Sequence, residues 1–443
     1  MQEISGVITP TSTPYSEFKN HIGEVVTIKG AIHNIRDMSD FAFIIVRTAR
    51  ELIQCVYSPE FSDFRLNDNV VEQAAAKLTG KVVKSETRDG SERYELQIHD
   101  IEILSKPADI PPVVISKKQV VCDLNVNLDN RPVTLRNPKE RAVFKIQEGI
   151  QRGFREYLTS QNFTEIHSPK INFAGAEGGT NVFKLDYFGK TVYLAQSPQL
   201  YKQALVPVYE RVFEVAPVFR AEHHDTSRHL NEYISMDFEM GFIDSFYDIM
   251  NMETGVLKYI MNLLKTEYAA EIDLLKVSVP EITTIPCIKF KDAKELCVKK
   301  LKNITDMKDF EPEEEAFLGK WAKQQYNSDF LFVTHYLSKK RPFYTMDDPD
   351  DPEVTLSFDL LFRGIEITSG GQRIHDYNEQ VAKMKKLGMN PDEFETYLML
   401  HKYGAPPHGG LGLGLERLTM HLLGFKNVRY AAMFPRDINR VSP

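Results

Sequence analysis

A proline-rich stretch, Lys106-Pro107-Ala108-Asp109-Ile110-Pro111-Pro112, divides the chain into two parts of different texture. Proline fixes φ and removes a backbone donor, so this segment continues neither a helix nor a central strand and reads as an extended link. Before it, short apolar runs recur: Val25-Val26-Thr27-Ile28, Phe41-Ala42-Phe43-Ile44-Ile45-Val46, Leu52-Ile53-Gln54-Cys55-Val56, Gly80-Lys81-Val82-Val83 and Tyr94-Glu95-Leu96-Gln97-Ile98. The polar turn Arg88-Asp89-Gly90-Ser91 separates the last two, and the spacing predicts a helix over 69–77, between the third and fourth. Five strands with one such helix suggest an OB-type barrel; on this pattern alone another small β domain stays open.

After the link, residues 140–160 place Ala142, Val143, Ile146, Ile150, Phe154 and Leu158 at helical spacing, followed by a strand-like 164–169 that contains Pro169. The rest reads as one α+β domain without repeats. The expected division is 1–105 barrel, 106–135 hinge and 136–443 second domain. With 42% hydrophobic and 26% charged residues the chain resembles ordinary soluble proteins. No run of about 18 apolar residues and no basic-then-apolar leader is present, so membrane insertion and secretion are not expected. Cys55, Cys122, Cys287 and Cys297 are scattered and read as reduced thiols of a cytosolic protein. The net charge, 54 − 62 = −8, argues at first against a nucleic-acid partner, although the local field decides that.

Two later segments carry chemistry. Phe219-Arg220-Ala221-Glu222 runs through the polar 223–227 into Arg228-His229-Leu230-Asn231-Glu232 and then Ser235-Met236-Asp237-Phe238-Glu239-Met240. As a strand, Arg220 and Glu222 would share a face, and a loop would return Arg228 to it. A solvated charged hairpin is the plain alternative, but Arg and His between apolar strands suit a polyphosphate held by forked guanidinium groups. The second is Gly409-Gly410-Leu411-Gly412-Leu413-Gly414-Leu415-Glu416-Arg417-Leu418. Alternating glycines allow close backbone approach to a ligand, and a helix can start after them. It is neither a Walker loop nor a dinucleotide fingerprint, since no Lys-Ser/Thr follows and no strand-turn-helix unit frames it.

Helix-strand-Pro, then Phe-Arg-x-Glu with a loop to Arg-His, then Gly-x-Gly-x-Gly-x-Glu-Arg: in this order the segments resemble the three motifs of the class II aminoacyl-tRNA synthetases. An N-terminal OB barrel marks the aspartyl, asparaginyl and lysyl subgroup, so the resemblance covers the whole chain. It implies an antiparallel-sheet catalytic domain behind an OB-fold anticodon-binding domain. Gln196-Ser197-Pro198-Gln199-Leu200-Tyr201-Lys202-Gln203, the 176–180 segment, Gly364 to His375 and the closing Phe434-Pro435-Arg436-Asp437 are similar to the archaeal type of aspartyl-tRNA synthetase.

That family joins L-aspartate to tRNA through an adenylate made from ATP with Mg²⁺, a reaction of positioning and charge neutralisation. The resemblance places Arg220 on the α-phosphate and the attacking carboxylate and Glu222 on the adenine side. Arg228 and His229 fall on the distal phosphates and Arg417 on the γ-phosphate, which makes Arg220 and Arg417 the catalytic pair. Ala221, Leu230, Glu366, Gly414, Leu415 and Glu416 complete the ATP set, and Phe219 is either an adenine platform or core. Glu366 and Ser369 offer hard oxygens to Mg²⁺. Arg373 would take the aspartate side chain in bidentate fashion, with Lys202 as a second charge. Asp237 and Glu177 would pair with the ammonium, and Gln199, Arg220 and Ser369 complete the amino-acid pocket. On the barrel, Arg36, Phe43 and Gln54 match anticodon-reading positions. His33 departs from the Trp found there in enzymes restricted to tRNA(Asp), so tRNA(Asn) is expected as a second substrate. The family is typically cytoplasmic and homodimeric through the first motif, here 140–170. Asparaginyl-tRNA synthetase is the near alternative. A non-catalytic synthetase-like protein would tend to lose Arg220, Arg228 and Arg417, and a paralogue without tRNA recognition would not need the barrel. Residues 291–312 match no motif.

Overall fold

In the computed structural model, β1 (Val25–Asp37), β2 (Ala42–Arg47), β3 (Leu52–Tyr57), β4 (Ala75–Glu86) and β5 (Glu92–Ser105) close into a barrel in the order β1-β2-β3-β5-β4. The structure describes residues 6, 11–66, 68–86, 92–173, 181–223, 225–301, 304 and 306–443. Strict alternation builds the barrel interior. Ala42, Ile44 and Val46 of β2 and Ile53, Cys55 and Tyr57 of β3 point inward. They meet Ile28, Leu78, Leu96 and Ile98, and Phe18 joins this core from the preceding 3₁₀ helix, Tyr15–Asn20. The helix expected over 69–77 does not form. Ala74, Ala76 and Leu78, two apart, are all fully buried, and Ala75–Lys77 already pair with β1. Alternation in register with a neighbouring strand overrides the local helical spacing. The turn Arg88-Asp89-Gly90-Ser91 lies outside the described residues.

The second unit begins at Leu124. The expected hinge over 106–135 is therefore too long, because the short helices Leu124–Asp129 and Arg131–Thr134 belong to this unit. Arg131 explains why. Its guanidinium is 1% exposed and donates to the carbonyls of Met433 at 3.1 Å and Ala432 at 3.0 Å and to Glu140 at 3.2 Å. A buried guanidinium persists only when its donors are met in this way.

The strands of this unit are β6 (Thr164–Glu165), β7 (Ile171–Asn172), β8 (Lys184–Tyr187), β9 (Lys190–Leu194), β10 (Arg211–Phe219), β11 (Glu232–Gly241), β12 (Cys287–Lys289), β13 (Phe330–Thr334), β14 (Ser357–Phe362), β15 (Ile365–Arg373) and β16 (His408–Gly414). Eight of them form one sheet, β12-β13-β14-β15-β16-β11-β10-β6, while β7, β9 and β8 form a small one. The large sheet is antiparallel except at its edges, where β6 runs parallel to β10 and β12 to β13. Of the strand-like 164–169 only Thr164–Glu165 pairs.

Alternation gives this sheet two unlike faces. Met236 and Phe238, Leu411 and Leu413, and Phe358, Leu360 and Phe362 point into an apolar core. That core is shared with Ile146, Ile150, Phe154 and Leu158 of the Pro138–Ser160 helix and with the Phe246–Glu267 helix. The helices come close at Gly149, where a Cβ would lie 2.7 Å from Leu264 Cδ2. The intervening residues Ser235, Asp237, Glu239, Asp359, Ser369 and Arg373 point the other way, so a polar cleft lies on the face opposite the helices.

Candidate active site

A cleft of about 330 Å³ opens on that polar face. Arg220, Glu222, Arg228, His229, Leu230, Glu366, Gly414, Glu416 and Arg417 line it, as do Gln199, Asp237, Ser369 and Arg373. About half of the sequence separates the first of these from the last, yet four adjacent strands bring them together. Ala221, Leu415 and Phe219 do not line the cleft; Leu415 is fully buried in the apolar core. Glu177 lies outside the described residues.

At one end stand Arg220, Arg228, His229 and Arg417. β10 stops at Phe219, so Arg220 and Glu222 lie in a loop rather than on one strand face. Asn231 holds that loop, its Nδ2 donating to the carbonyls of Arg220 at 2.7 Å and Glu222 at 3.0 Å. Its far side is clamped by the C-terminal segment. Arg429 bonds Asp225 at 2.7 Å and Asp437 at 2.5 Å, and Val428 N donates to Ser227 O. Arg220 lies over the Tyr233 ring at 5.8 Å. Arg417 donates to Glu366 O at 3.3 Å and stands 3.6 Å from its carboxylate. Arg228 faces Glu315 at 3.3 Å.

At the other end lies a buried charge network. Arg373 is 4% exposed, and its Nε and Nη2 bond Glu239 at 2.8 and 3.3 Å. Nη2 also donates to Gly410 O at 2.9 Å and Gln199 Oε1 at 3.4 Å. The Nε–Nη2 edge is thus occupied, and the expected side-on bidentate grip on a substrate carboxylate would have to displace Glu239 from it. Burial opposes the charge of Glu239, yet Arg373 and Lys202 hold its carboxyl below the ordinary range. Lys202 is 1% exposed beneath the cleft and does not line it; its Nζ bonds Asp237 at 2.8 Å and Leu411 O at 2.8 Å. Asp237, expected to meet an ammonium, already carries this cation and accepts from the Ser235 hydroxyl. Burial brings His408 down to about 4, so its neutral ring donates from Nδ1 to Pro406 O and accepts Gln203 Nε2 at 2.9 Å.

The glycine run is strand β16 rather than a loop over the ligand. Gly410 pairs with Glu239 and Gly412 with Asp237. A Cβ on Gly410 would lie 2.1 Å from Phe238 O and 2.3 Å from Glu239 Oε2. The missing side chains make room for the Glu239–Arg373 pair to cross the sheet.

Between the two ends sit Asp359, Glu366 and Ser369. Ser369 Oγ donates to Asp359 at 2.7 Å and accepts from Arg341 at 2.8 Å, and Arg341 also bonds Asp359 at 2.7 Å. Glu366 and Ser369 are three residues apart and would face oppositely in a regular strand. A bulge opposite Leu360–Leu361 turns both to the cleft. Burial, then the neighbouring Asp359, pushes the Glu366 carboxyl up. Its side chain keeps 38% of its surface open, and cleft water tempers that rise. Two crowded carboxylates and a hydroxyl fit Mg²⁺, which completes its shell with water and phosphate. Among the described residues no three His, Cys, Asp or Glu side chains form a metal-holding group. Asp359, Arg341, Glu239 and Glu315 escaped the sequence reading; only Glu239, next to Asp237 at strand spacing, carried a usable signal there.

On the barrel, Arg36 pairs with Phe43 in register and Ile45 with Gln54, which places Arg36, Phe43 and Gln54 on one outer face. Arg36 is exposed, Phe43 packs edge-on to Phe41 at 5.3 Å, and Gln54 donates to Glu95 at 2.7 Å. His33 does not join them. The register of β1 slips between Ile32 and Asn34, and the intervening His33 turns inward, 2% exposed, with Nδ1 3.1 Å from Arg47 Nη1.

A closed five-stranded barrel followed by an antiparallel sheet bearing an Arg-lined cleft defines a class. A family model for class II tRNA synthetases (D, K and N) matches residues 123–438, and one for an OB-fold nucleic acid binding domain matches 26–104. An aspartate–tRNA(Asp/Asn) ligase of Deinococcus radiodurans is 44% identical over 96% of this chain and 98% of its own. The asparaginyl-tRNA synthetase of Pyrococcus horikoshii with asparaginyl-adenylate superposes with a TM-score of 0.86 at 28% identity, covering 96% of this chain and 97% of that one. The aspartyl-tRNA synthetase of Entamoeba histolytica reaches 0.84 at 28%, covering 99% and 93%. The chain belongs to the class II tRNA synthetases, and within them to the aspartate–tRNA ligase family.

Proposed function

We propose that the chain activates L-aspartate with ATP and transfers the aspartyl group to the 3′ end of tRNA(Asp). The observation that carries this is Arg373, whose locked Nε–Nη2 edge leaves Nη1, without a partner among the described residues, for an anionic side chain. A neutral asparagine amide there would forfeit the charge-assisted hydrogen bond that an aspartate carboxylate makes with Nη1, which disfavours the asparaginyl reading despite the likeness in fold. Arg220 neutralises the α-phosphate as the aspartate carboxylate attacks it, and Arg228, His229 and Arg417 receive the departing pyrophosphate. Asp359, Glu366 and Ser369 would hold Mg²⁺, which supplies further neutralisation of phosphate charge. The test is ATP–pyrophosphate exchange with each amino acid: aspartate should drive it, and exchange driven by asparagine instead would overturn the reading.

The reading extends to a cytoplasmic homodimer. The apolar stripe of the Pro138–Ser160 helix is spent inside the subunit, so pairing would fall to flanking residues such as Ile171 and Phe173, 46% and 83% exposed.

It also includes tRNA(Asn) as a second acceptor. The Deinococcus relative, named for both tRNAs, supports this, as does the packing at residue 33. A Trp could not occupy the space of His33 without displacing Arg47, which also bonds Gln73 at 3.2 Å. Purified enzyme should therefore aspartylate both tRNAs, and His33→Trp should lower charging of tRNA(Asn) more than of tRNA(Asp). No charging of tRNA(Asn) by wild type would refute it.

A further inference from the structure

Residues 291–312 match no motif, yet they build the support for one cleft residue. The helix Phe290–Lys300 packs on the helix Pro312–Tyr326 through Phe290, Ala293, Cys297, Leu318 and Ala322. A buried ion pair joins the two: Lys294 Nζ bonds both oxygens of Glu314, at 2.6 and 2.7 Å, and also Asp306 O at 2.7 Å. Glu314 additionally accepts from Glu311 N, closing a capping box at the start of the second helix. On its other side this helix touches the turn before Glu366. A Cβ on Gly319 would lie 2.4 Å from Gly364 N, and one on Gly364 2.7 Å from Ala316 Cα. Pinned on both sides, the first turn has little freedom, and it carries Glu315 to 3.3 Å from Arg228 Nη1. Arg417, Glu366 and Asp359 are the other charges that act on Glu315.

We propose that Glu315 is a positioning residue for ATP: it holds the Arg228 guanidinium toward the cleft before nucleotide binds, so that Arg228 meets the distal phosphates without first being ordered. This rests on the reading of the cleft as the ATP site. Arg228 projects from a loop and keeps 31% of its side-chain surface exposed. It shares the cleft with Arg220 and Arg417, whose charges repel it. Without a counter-charge it would turn to solvent and lose rotamer freedom only on binding. Glu315 stands on a helix anchored by a buried ion pair, whereas the triphosphate can take the Arg228 nitrogens that Glu315 leaves open. One guanidinium, with five donors in a fixed plane, can bridge the two.

The test measures ATP affinity by calorimetry without amino acid, alongside ATP–pyrophosphate exchange with aspartate. Glu315→Ala should weaken ATP binding roughly tenfold and leave the aspartate KM within about twofold, since the aspartate end is held by Arg373 and Glu239. Glu315→Gln, which keeps the shape and one acceptor, should fall between wild type and Ala. In a double-mutant cycle, Glu315→Ala should add little once Arg228→Ala is present. Unchanged ATP affinity in Glu315→Gln and Glu315→Ala, additive losses with Arg228→Ala, or equal losses for ATP and aspartate would each overturn the inference. If wild type binds ATP but exchanges with no aspartate, the proposed substrate fails while this cycle still decides on Glu315. If wild type binds no ATP, both fail.

Discussion

Arg373 and Glu239 show why single residues of this cleft cannot be exchanged freely. Each is neutralised by the other in a dry setting, so removing one leaves an uncompensated charge. Arg373→Gln should destabilise the fold by about 3–5 kcal/mol and cut kcat/KM for aspartate by roughly 30-fold or more. The double change with Glu239→Gln should regain stability in urea melts but not activity; recovery of aspartate activity would show that Arg373 does not meet the substrate. Gly410 makes the same point through space rather than charge. Gly410→Ala drives a Cβ into a backbone carbonyl, which should cost about 1–3 kcal/mol, read as a lowered Tm, with aspartate binding weakened through the displaced Glu239.

At the scale of elements, the Phe246–Glu267 helix places a carboxyl under the sheet that carries the cleft. Glu253 is 1% exposed and neither of its oxygens has a hydrogen-bond partner among the described residues. Burial pushes its carboxyl up to about 8, with Asp359 adding to the rise and the Thr368 hydroxyl opposing it. A folded-state value above the unfolded one, near 4.5, means that the folded chain keeps a proton that the unfolded chain has lost. Its contribution is therefore most favourable below about 4.5, falls as pH rises toward 8 and then levels off. Glu416, also held near 8 by burial, acts in the same direction. Glu253→Gln should flatten, though not abolish, the loss of stability between about pH 5 and 8, measured as the urea midpoint across that range. An unchanged slope would mean that Glu253 is ionised in the fold. The elements themselves were unequally legible. The Pro138–Ser160 helix follows from its apolar stripe. By contrast, the expected 69–77 helix gives way to turns and, from Ala75, to strand β4, because Ala74 and Ala76 face the barrel interior, a property of the partner strand rather than of the segment.

For the whole molecule, each of the two units has its own hydrophobic core, and every residue lining the cleft comes from the second. A chain reduced to 124–443 should keep aspartate-dependent exchange while charging of tRNA falls steeply, by about 100-fold or more given the usual weight of phosphate and stacking contacts. Comparable charging by the truncated chain would remove the barrel from tRNA recognition. The net charge of −8 makes indiscriminate polyanion binding unfavourable, so tRNA contacts must be local. Raising salt from about 50 to 200 mM should accordingly weaken tRNA binding on the order of tenfold and leave the aspartate KM nearly unchanged.

Residue order alone determined a strand-rich first part, a proline link and an α+β second part, because period-2 alternation and proline content are local properties of the chain; the barrel and most cleft residues were legible through motifs that resemble those of the class II synthetases. The same order could not show that Lys202 lies beneath the cleft or that His33 turns inward at a bulge. Nor could it show that Glu366 and Ser369 share a face, or that residues 291–312 carry Glu315 to Arg228. Those outcomes depend on register slips and on partners up to hundreds of residues away. Which way a charged side chain points is decided by where its counter-charge folds, and that position exists only in three dimensions.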